Sequence, residues 1–225
     1  MEQTRAARGA VVAGIVTVVI SGWFASVAAA ACDGVVVSSA SALGAFQMAK
    51  SQMALDAAIG CPARLDVLNS MNRVDLIAFI ASYGLFLVLA ALALASGRLR
   101  RIALIFIGIA LAGDVLETAT QLWIGSRWPF TTTPMLTLLA VGSSLKWAGI
   151  ACGLGATGLS MAEDRLGATR WLGLAVAIFG LLGLMVFVSP TPPPFIPLAF
   201  LLLIGACALS WRRGPAQDTP PTAFR

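Results

Sequence analysis

Residues 102–124, IALIFIGIALAGDVLETATQLWI, form an apolar run long enough to cross a lipid bilayer as a helix, yet they contain Asp114 and Glu117. The next apolar run, residues 135–159, contains Lys146. Charged side chains are costly inside a bilayer, and those that occur there usually face a charged partner, a cavity or a functional site. The two segments therefore predict neighbouring membrane helices with a polar interface between them.

The rest of the chain repeats the apolar pattern. Hydrophobic residues make up 59% of the 225 residues and charged residues only 11%, which is too apolar for a soluble domain of this length. We predict an all-α integral membrane protein, a six-transmembrane-helix bundle that forms one transmembrane domain over residues 1–213. The spans are predicted at about residues 10–31, 74–95, 102–124, 135–159, 171–188 and 195–211. Residues 214–225 are polar and proline-rich, and they predict a disordered cytoplasmic tail.

Basic residues indicate an orientation for this bundle. The positive-inside rule places the side with more arginines in the cytoplasm, together with both termini, and places residues 32–73 outside. The arginine-rich, lysine-poor composition is typical of a bacterial chain, so we expect the cytoplasmic (inner) membrane of a bacterium. The predicted inner side carries Arg5, Arg8, Arg98, Arg100, Arg101, Arg165, Arg170, Arg212, Arg213 and Arg225, and the outer side carries Lys50, Arg64, Arg73 and Arg127.

The first span has a second interpretation. Two arginines, an apolar stretch and a run of small residues ending at Ala31 also resemble a secretory signal peptide with its cleavage site. The apolar part is long for a signal peptide, so we favour a retained membrane anchor. Cleavage would leave five spans, and an intact mass lacking roughly thirty residues would reveal it.

The long connection between the first two spans predicts a helical cap. Apolar side chains at helical spacing over residues 41–58 predict a weakly amphipathic helix that lies across the outer end of the bundle. Gly60 and Pro62 interrupt this helix, and residues 65–73 predict a helical extension that leads into the second span.

Cys32 and Cys61 flank the predicted cap on the oxidising side of the membrane. We therefore expect a disulfide that closes the cap. A redox-active pair is the alternative, but the two cysteines lack the close spacing of thiol oxidoreductases. The structural disulfide is thus the favoured interpretation.

Glycines in the fourth span predict close helix packing. Gly149 and Gly153 are four residues apart, a spacing that lets helix backbones approach each other. The fourth span should therefore be central, packed against the third and also the fifth, which offers further glycines.

Several classes of function are excluded or disfavoured. The chain has no histidine, which removes His-ligated haem, His-containing metal sites and catalysis by an imidazole base. It also lacks a nucleotide-binding loop, a nucleophile elbow and a cofactor motif. The net charge of +5 comes mostly from short loops beside apolar runs, so we expect contacts with anionic lipids and no nucleic acid. We therefore predict no cofactor.

Polar residues at the outer end of the second span could suggest a metal site. The acids there are too few and too widely spread for a calcium motif. We predict that they cap a helix and form a solvated face, and that the protein holds no metal. The residues are Asp66, Asn69, Asn72 and Asp75.

The charged side chains in the third and fourth spans define a candidate site. Asp114, Glu117 and Gln121 share one helical face, and Asp114 and Lys146 differ in depth by about 5 Å, which a lysine side chain can reach. Two acids and one base leave one negative charge, which a proton, Arg73, Tyr83, water or a cation would neutralise. We predict a ligand or proton site that opens outward beneath the cap, formed by Asp114, Glu117, Gln121, Lys146, Tyr83, Asn72 and Arg73.

The same charges also have a purely structural interpretation, in which they hold the third and fourth spans in register. Three functions follow from the two interpretations. The first is a binding or accessory subunit, alone as a homo-oligomer or with a membrane-protein partner. The second is a small carrier or proton-coupled transporter, and the third is an intramembrane enzyme acting on a lipid, with a carboxylate as acid or base.

Overall fold

The computed structural model describes residues 2–28, 30–164, 167–188 and 195–213. Within these residues, six helical segments are long and apolar enough to cross a membrane, in agreement with the sequence. The helices are α1 (Glu2–Ser26), α2 (Ser39–Gln47), α3 (Gln52–Ile59), α4 (Pro62–Val74), α5 (Ile80–Leu94), α6 (Gly97–Arg127), α7 (Thr133–Asp164), α8 (Ala168–Leu182) and α9 (Phe195–Arg213). The predicted tail at residues 214–225 lies outside the described residues.

The six long apolar helices overlap the six predicted segments, but several ends differ. Span 1 is α1, which begins and ends earlier than the predicted 10–31. Span 2 is continuous from α4 through α5, and spans 3 and 4 are α6 and α7. Span 5 is α8 followed by a 3₁₀ turn over Gly183–Phe187, and span 6 is α9. Most ends lie beyond the predicted ones because backbone hydrogen bonds continue a helix into its polar flanks, whereas hydropathy marks only the apolar part. The end of α1 at Ser26 is an exception that this reason does not cover.

The segment between spans 1 and 2 forms a helical cap, defined here as residues 30–61, on one end of the bundle. Two helices, α2 and α3, replace the single helix predicted over residues 41–58. The chain breaks before α3 because the Ser51 side chain accepts a hydrogen bond from the Ala54 backbone N–H, which favours a new helix start. The predicted helical extension exists as α4.

A short β-hairpin, which an all-α prediction does not include, begins the cap. Strand β1 (Ala31–Cys32) pairs antiparallel with β2 (Val35–Val36) through a turn at Asp33 and Gly34. Both turn residues have positive φ, the conformation that an Asp-Gly hairpin turn requires. The predicted disulfide between Cys32 and Cys61 is formed, and Arg64 donates hydrogen bonds to the backbone carbonyls of Ala30 and Val35.

The cap is fixed to the bundle by its own apolar core. Phe46 of α2 and Leu55 of α3 are fully buried in one cluster with residues from the adjoining ends of α6 and α7, Ile124 and Leu139. Burying a large apolar side chain contributes about 1.5–3 kcal/mol, so this cluster holds the cap against the ends of spans 3 and 4.

The opposite end of the bundle carries both ends of the described chain. The Arg8 guanidinium of α1 lies 5.8 Å from the centre of the Trp211 ring of α9. Spans 1, 2 and 6 bury a second apolar cluster that includes Ala10, Phe86 and Leu203. The cap therefore lies at one end of the bundle, and residues Arg8 and Trp211 lie at the other.

Candidate functional site

Helices α6 and α7 approach each other unusually closely because glycines face the other helix. A Cβ atom on Gly142 would lie 2.6 Å from the backbone nitrogen of Glu117, and one on Gly113 would lie 2.5 Å from that of Lys146. No side chain fits at such distances, so the two backbones are in direct contact. The close contact places the charged side chains of the two helices within ion-pairing distance.

Lys146 forms the centre of the buried cluster. Its Nζ lies 2.6 Å from Oδ1 of Asp114 and donates a hydrogen bond of 3.1 Å to Oε1 of Glu117. Both carboxylates have no exposed surface, and Lys146 is 5% exposed. The ammonium also lies 5.6 Å from the centre of the Trp147 ring, a distance at which a cation is attracted to the ring face.

Tyr83 joins the cluster from span 2. Its hydroxyl donates a 2.7 Å hydrogen bond to Oδ2 of Asp114, and the side chain is 1% exposed. Asp114 therefore has one oxygen on the ammonium and the other on the phenol, so both of its oxygens are held. The structure thus brings together four predicted site residues, Asp114, Glu117, Lys146 and Tyr83.

Asp75 corrects one sequence prediction. The predicted solvated face of span 2 would leave this residue exposed, but it is 5% exposed and accepts a 2.6 Å hydrogen bond from the Thr118 hydroxyl of α6. It interacts electrostatically with Lys146 and Asp114. Asp75 begins a π-helical turn, Asp75–Phe79, between α4 and α5, and such turns occur often at functional sites.

Arg73 is the second correction. Its side chain is exposed, and the ion pairs found among the described residues do not include it. It therefore does not balance the carboxylates. With Asp75 added, the cluster holds three buried carboxyl groups and one ammonium, of which Asp114 and Glu117 contact the ammonium, and its formal charge is −2 if all ionise. The sequence underestimated the negative charge of the cluster by one.

Two predicted site residues extend the polar surface towards the cap. Gln121 is fully buried and Asn72 is 1% exposed. In the described part of the chain, neither the oxygen nor the nitrogen of either amide has a hydrogen-bond partner. Leaving a buried donor or acceptor unpaired costs about 1–3 kcal/mol, so these amides destabilise the fold unless something else binds them.

Thr118 is a site residue that the sequence does not single out, and Asp75 is one that the sequence assigns to a solvated face. A signal existed, because Asn69, Asn72 and Asp75 recur every three residues and so share one face of a helix. The residues were interpreted as a solvated face, since they lie at the end of an apolar span. The helix continues through this point, however, and turns that face towards α6.

The chemistry of the cluster is that of a site for positive charge. Among the described residues, no three acidic or cysteine side chains converge in the way that metal ligands do. The cluster can hold a proton or a small polar cation, and it can orient such a guest through Tyr83 and Lys146. Comparison of the chain with protein-family models, curated proteins and solved structures found no match.

Proposed function

We propose that the protein is an integral membrane protein that acts as a binding or accessory subunit. Its buried polar pocket, between spans 2, 3 and 4, receives a small guest that carries positive charge. The observation that carries this proposal is the excess of buried carboxyl groups: Asp114 and Glu117 share the ammonium of Lys146, and the buried Asp75 has no ion pair among the described residues. Buried charges without compensation are strongly unfavourable, so a pocket of this composition favours a proton or a cationic group.

Native mass spectrometry of the protein extracted gently from its own membrane tests this proposal. We expect a bound small molecule or lipid, and its loss in Glu117→Gln, which keeps the side-chain shape but removes one negative charge. Thr157→Val is the matched control, since Thr157 is 2% exposed on α7 but hydrogen-bonds only within its own helix, to Gly153. A stoichiometric protein partner with no bound molecule would favour an accessory role with structural charges.

A proton-coupled carrier is the second candidate, and the same charge excess favours it, because a proton is the smallest guest that can neutralise a carboxylate. Protein reconstituted in liposomes with an internal pH dye would show proton movement under an imposed gradient. Glu117→Gln should abolish that movement, and movement that is unchanged in this variant would count against the carrier.

The orientation proposed with this function has the cap outside and both termini in the cytoplasm of a bacterium. The bias of arginines towards the end of the bundle that holds Arg8 and Trp211 supports it. Membrane lipids, and a membrane-protein partner or a second copy of the chain, are the partners that we propose. A reporter fused after Arg213 that is active only in the cytoplasm would test the orientation.

A further inference from the structure

Span 2 and α6 run antiparallel, and polar side chains line the half of their contact that lies nearer the cap, whereas Gly84 packs against Leu111 in the other half. The Thr118 hydroxyl contacts Asp75, and the Tyr83 hydroxyl contacts Asp114. At the cap end, the Asn69 amide lies over Gly125, where a Cβ atom would come within 3.0 Å of its nitrogen.

Between these contacts, the same register places Asn72 opposite Gln121. We call this row, from Asn69 and Gly125 through Asn72 and Gln121 to Asp75 and Thr118, the amide seam. It links the cap end of the bundle to the buried charges. The seam therefore leads from the cap end to Thr118, the residue that follows Glu117 on α6.

Exposure along the seam increases towards the cap. Gln121 is fully buried and Asn72 is 1% exposed, whereas Asn69 is half-buried. One helical turn further along α4, Asp66 is exposed. The polar row thus continues from the buried amides to side chains that solvent reaches, beside the apolar cluster that includes Leu68 and Ile124.

The amides of the seam have the hydrogen-bonding capacity that water requires. Each amide offers two donors and one carbonyl acceptor, and both ends of Asn72 and Gln121 lack partners among the described residues. Polar groups buried in this way are typically satisfied by ordered water. The two amides do not hydrogen-bond to each other, so bridging water can satisfy both of them.

The other side of the cluster is apolar. Below Asp114, the buried residues of α6 are Ala110, Ile107 and Ala103, which cover about 17 Å of helix. Phe86 of α5 and Leu154 of α7 pack in the same apolar cluster. On this side of the cluster, the buried residues of α6 therefore offer no polar row comparable to the seam.

We propose that the amide seam is a hydrated path that gives the buried carboxylates access to solvent and protons from the cap side only. A hydronium ion that reaches Glu117 by this path gives its proton to the carboxylate: one O–H bond of the hydronium breaks, a new O–H bond forms on Glu117, and a water molecule is left. The inference rests on the proposed function, since it describes how a positively charged guest reaches the pocket. It assigns to Asn72 and Gln121 the role of lining that path.

Cysteine labelling tests the path. Single cysteines are introduced at Asn72 and Gln121 in a chain that carries Cys152→Ala and Cys207→Ala and keeps the Cys32–Cys61 disulfide. A membrane-impermeant, cationic methanethiosulfonate is applied to either face of sealed vesicles, because it reacts only with thiols that water can reach.

Two exposed positions identify the two faces, Met53→Cys for the cap and Arg98→Cys for the opposite end. The matched control is Leu139→Cys on α7. Leu139 and Gln121 are both fully buried and both lie six residues from the cap end of their helices, but Leu139 is in the apolar cap cluster. Ile107→Cys reports on the sealed side.

We expect labelling of Asn72→Cys and Gln121→Cys from the cap face at rates at least ten times that of Leu139→Cys, and no labelling of Ile107→Cys from either face. Reaction from the opposite face alone, or rates for the seam positions equal to that of Leu139→Cys, would overturn the path. If a cysteine variant fails to fold, hydrogen–deuterium exchange of the unmodified protein replaces the labelling. Early exchange of the backbone amides around residues 69–72 and 118–121 would support the path, and slow exchange there would overturn it. Retention of a guest in native mass spectrometry is independent of these results, so the proposed function can survive the failure of the path.

Discussion

Helix α7 packs closely on α6 along one face and on α8 along another, yet only the first interface contains charge. A Cβ atom on Gly142 would lie 2.6 Å from the Glu117 nitrogen of α6, and one on Gly158 would lie 2.5 Å from the Ala177 nitrogen of α8. The two interfaces are therefore equally tight. Among the described residues, the buried charged side chains are Arg64, Asp75, Asp114, Glu117 and Lys146, and none belongs to α8.

The second interface shows that this bundle achieves close packing and a fixed register with small residues alone. A fixed register between helices therefore does not require charged residues here. If the cluster served only to hold spans 3 and 4 in register, its buried charges would have no evident reason. Intramembrane charges are costly and are kept mostly for function. The difference between the two faces of α7 thus favours a functional site at the first.

The largest expected effect is the loss of the ammonium. Lys146→Met should lower the free energy of unfolding by about 3–5 kcal/mol, because it leaves the carboxylates of Asp114 and Glu117 buried without a counter-charge. Denaturation in mild detergent measures the change. Leu154→Met, a buried and volume-conserving change near the uncharged face of α7, should cost less than about 1.5 kcal/mol.

Neutralising the paired carboxylate should reverse part of this loss. In Lys146→Met combined with Asp114→Asn, the destabilisation should be smaller than the sum of the two single effects, because direct partners couple. Damage that is simply additive would show that the 2.6 Å ion pair contributes little and would weaken the contrast between the two interfaces.

The two glycines allow a direct comparison of the interfaces. Gly142→Ala and Gly158→Ala should each destabilise the protein by about 1–3 kcal/mol, because each new methyl group meets a neighbouring backbone. Only Gly142→Ala should also reduce the effect of Lys146→Met, since separating α6 from α7 lengthens the ion pairs. The same unfolding measurement on the two double variants decides this, and equal reductions would mean that the interfaces do not differ as proposed.

A smaller effect is expected where span 2 meets α6. Thr118→Val should lower stability by about 1–2 kcal/mol, because the Asp75 carboxyl group loses its hydrogen bond while it stays buried. Thr157→Val, which removes only a hydrogen bond within α7, should be nearly neutral. If thermal unfolding gave the same cost for both, Asp75 would have another partner or would reach solvent directly.

The sequence predicts much of the fold because hydropathy and length are local properties. Residues 102–124 and 135–159 are unmistakable spans, and the disulfide follows from two cysteines on one side of a membrane. The break between α2 and α3 was missed because it depends on a single serine cap at Ser51, which competes with a helical periodicity that continues through it.

The candidate site is less predictable because its membership depends on how helices face each other. The pairing of Lys146 with Asp114 follows from depth alone, since few charges lie at that level of a bilayer. Asp75 and Arg73 are close in sequence at the end of one span, and only the direction of that helix decides which is buried. Sequence spacing gives the face of a helix, but not the neighbour towards which the face turns.

The smallest expected effect on stability is also the one that separates function from folding most clearly. Gln121→Leu should leave stability unchanged or raise it by up to about 1 kcal/mol, because it replaces a buried amide without a partner by an apolar group of similar size. The reverse change at matched depth, Leu139→Gln, should destabilise by about 1–3 kcal/mol. In the Asn72→Cys chain, Gln121→Leu should also slow labelling from the cap side. If Gln121→Leu raised stability and slowed the labelling, the amide would lower the stability of the fold while keeping the seam open to solvent, as expected of a residue that serves function. A clear loss of stability would instead show that Gln121 is part of the packing, and the α6 face would then resemble the α8 face more than its charges suggest.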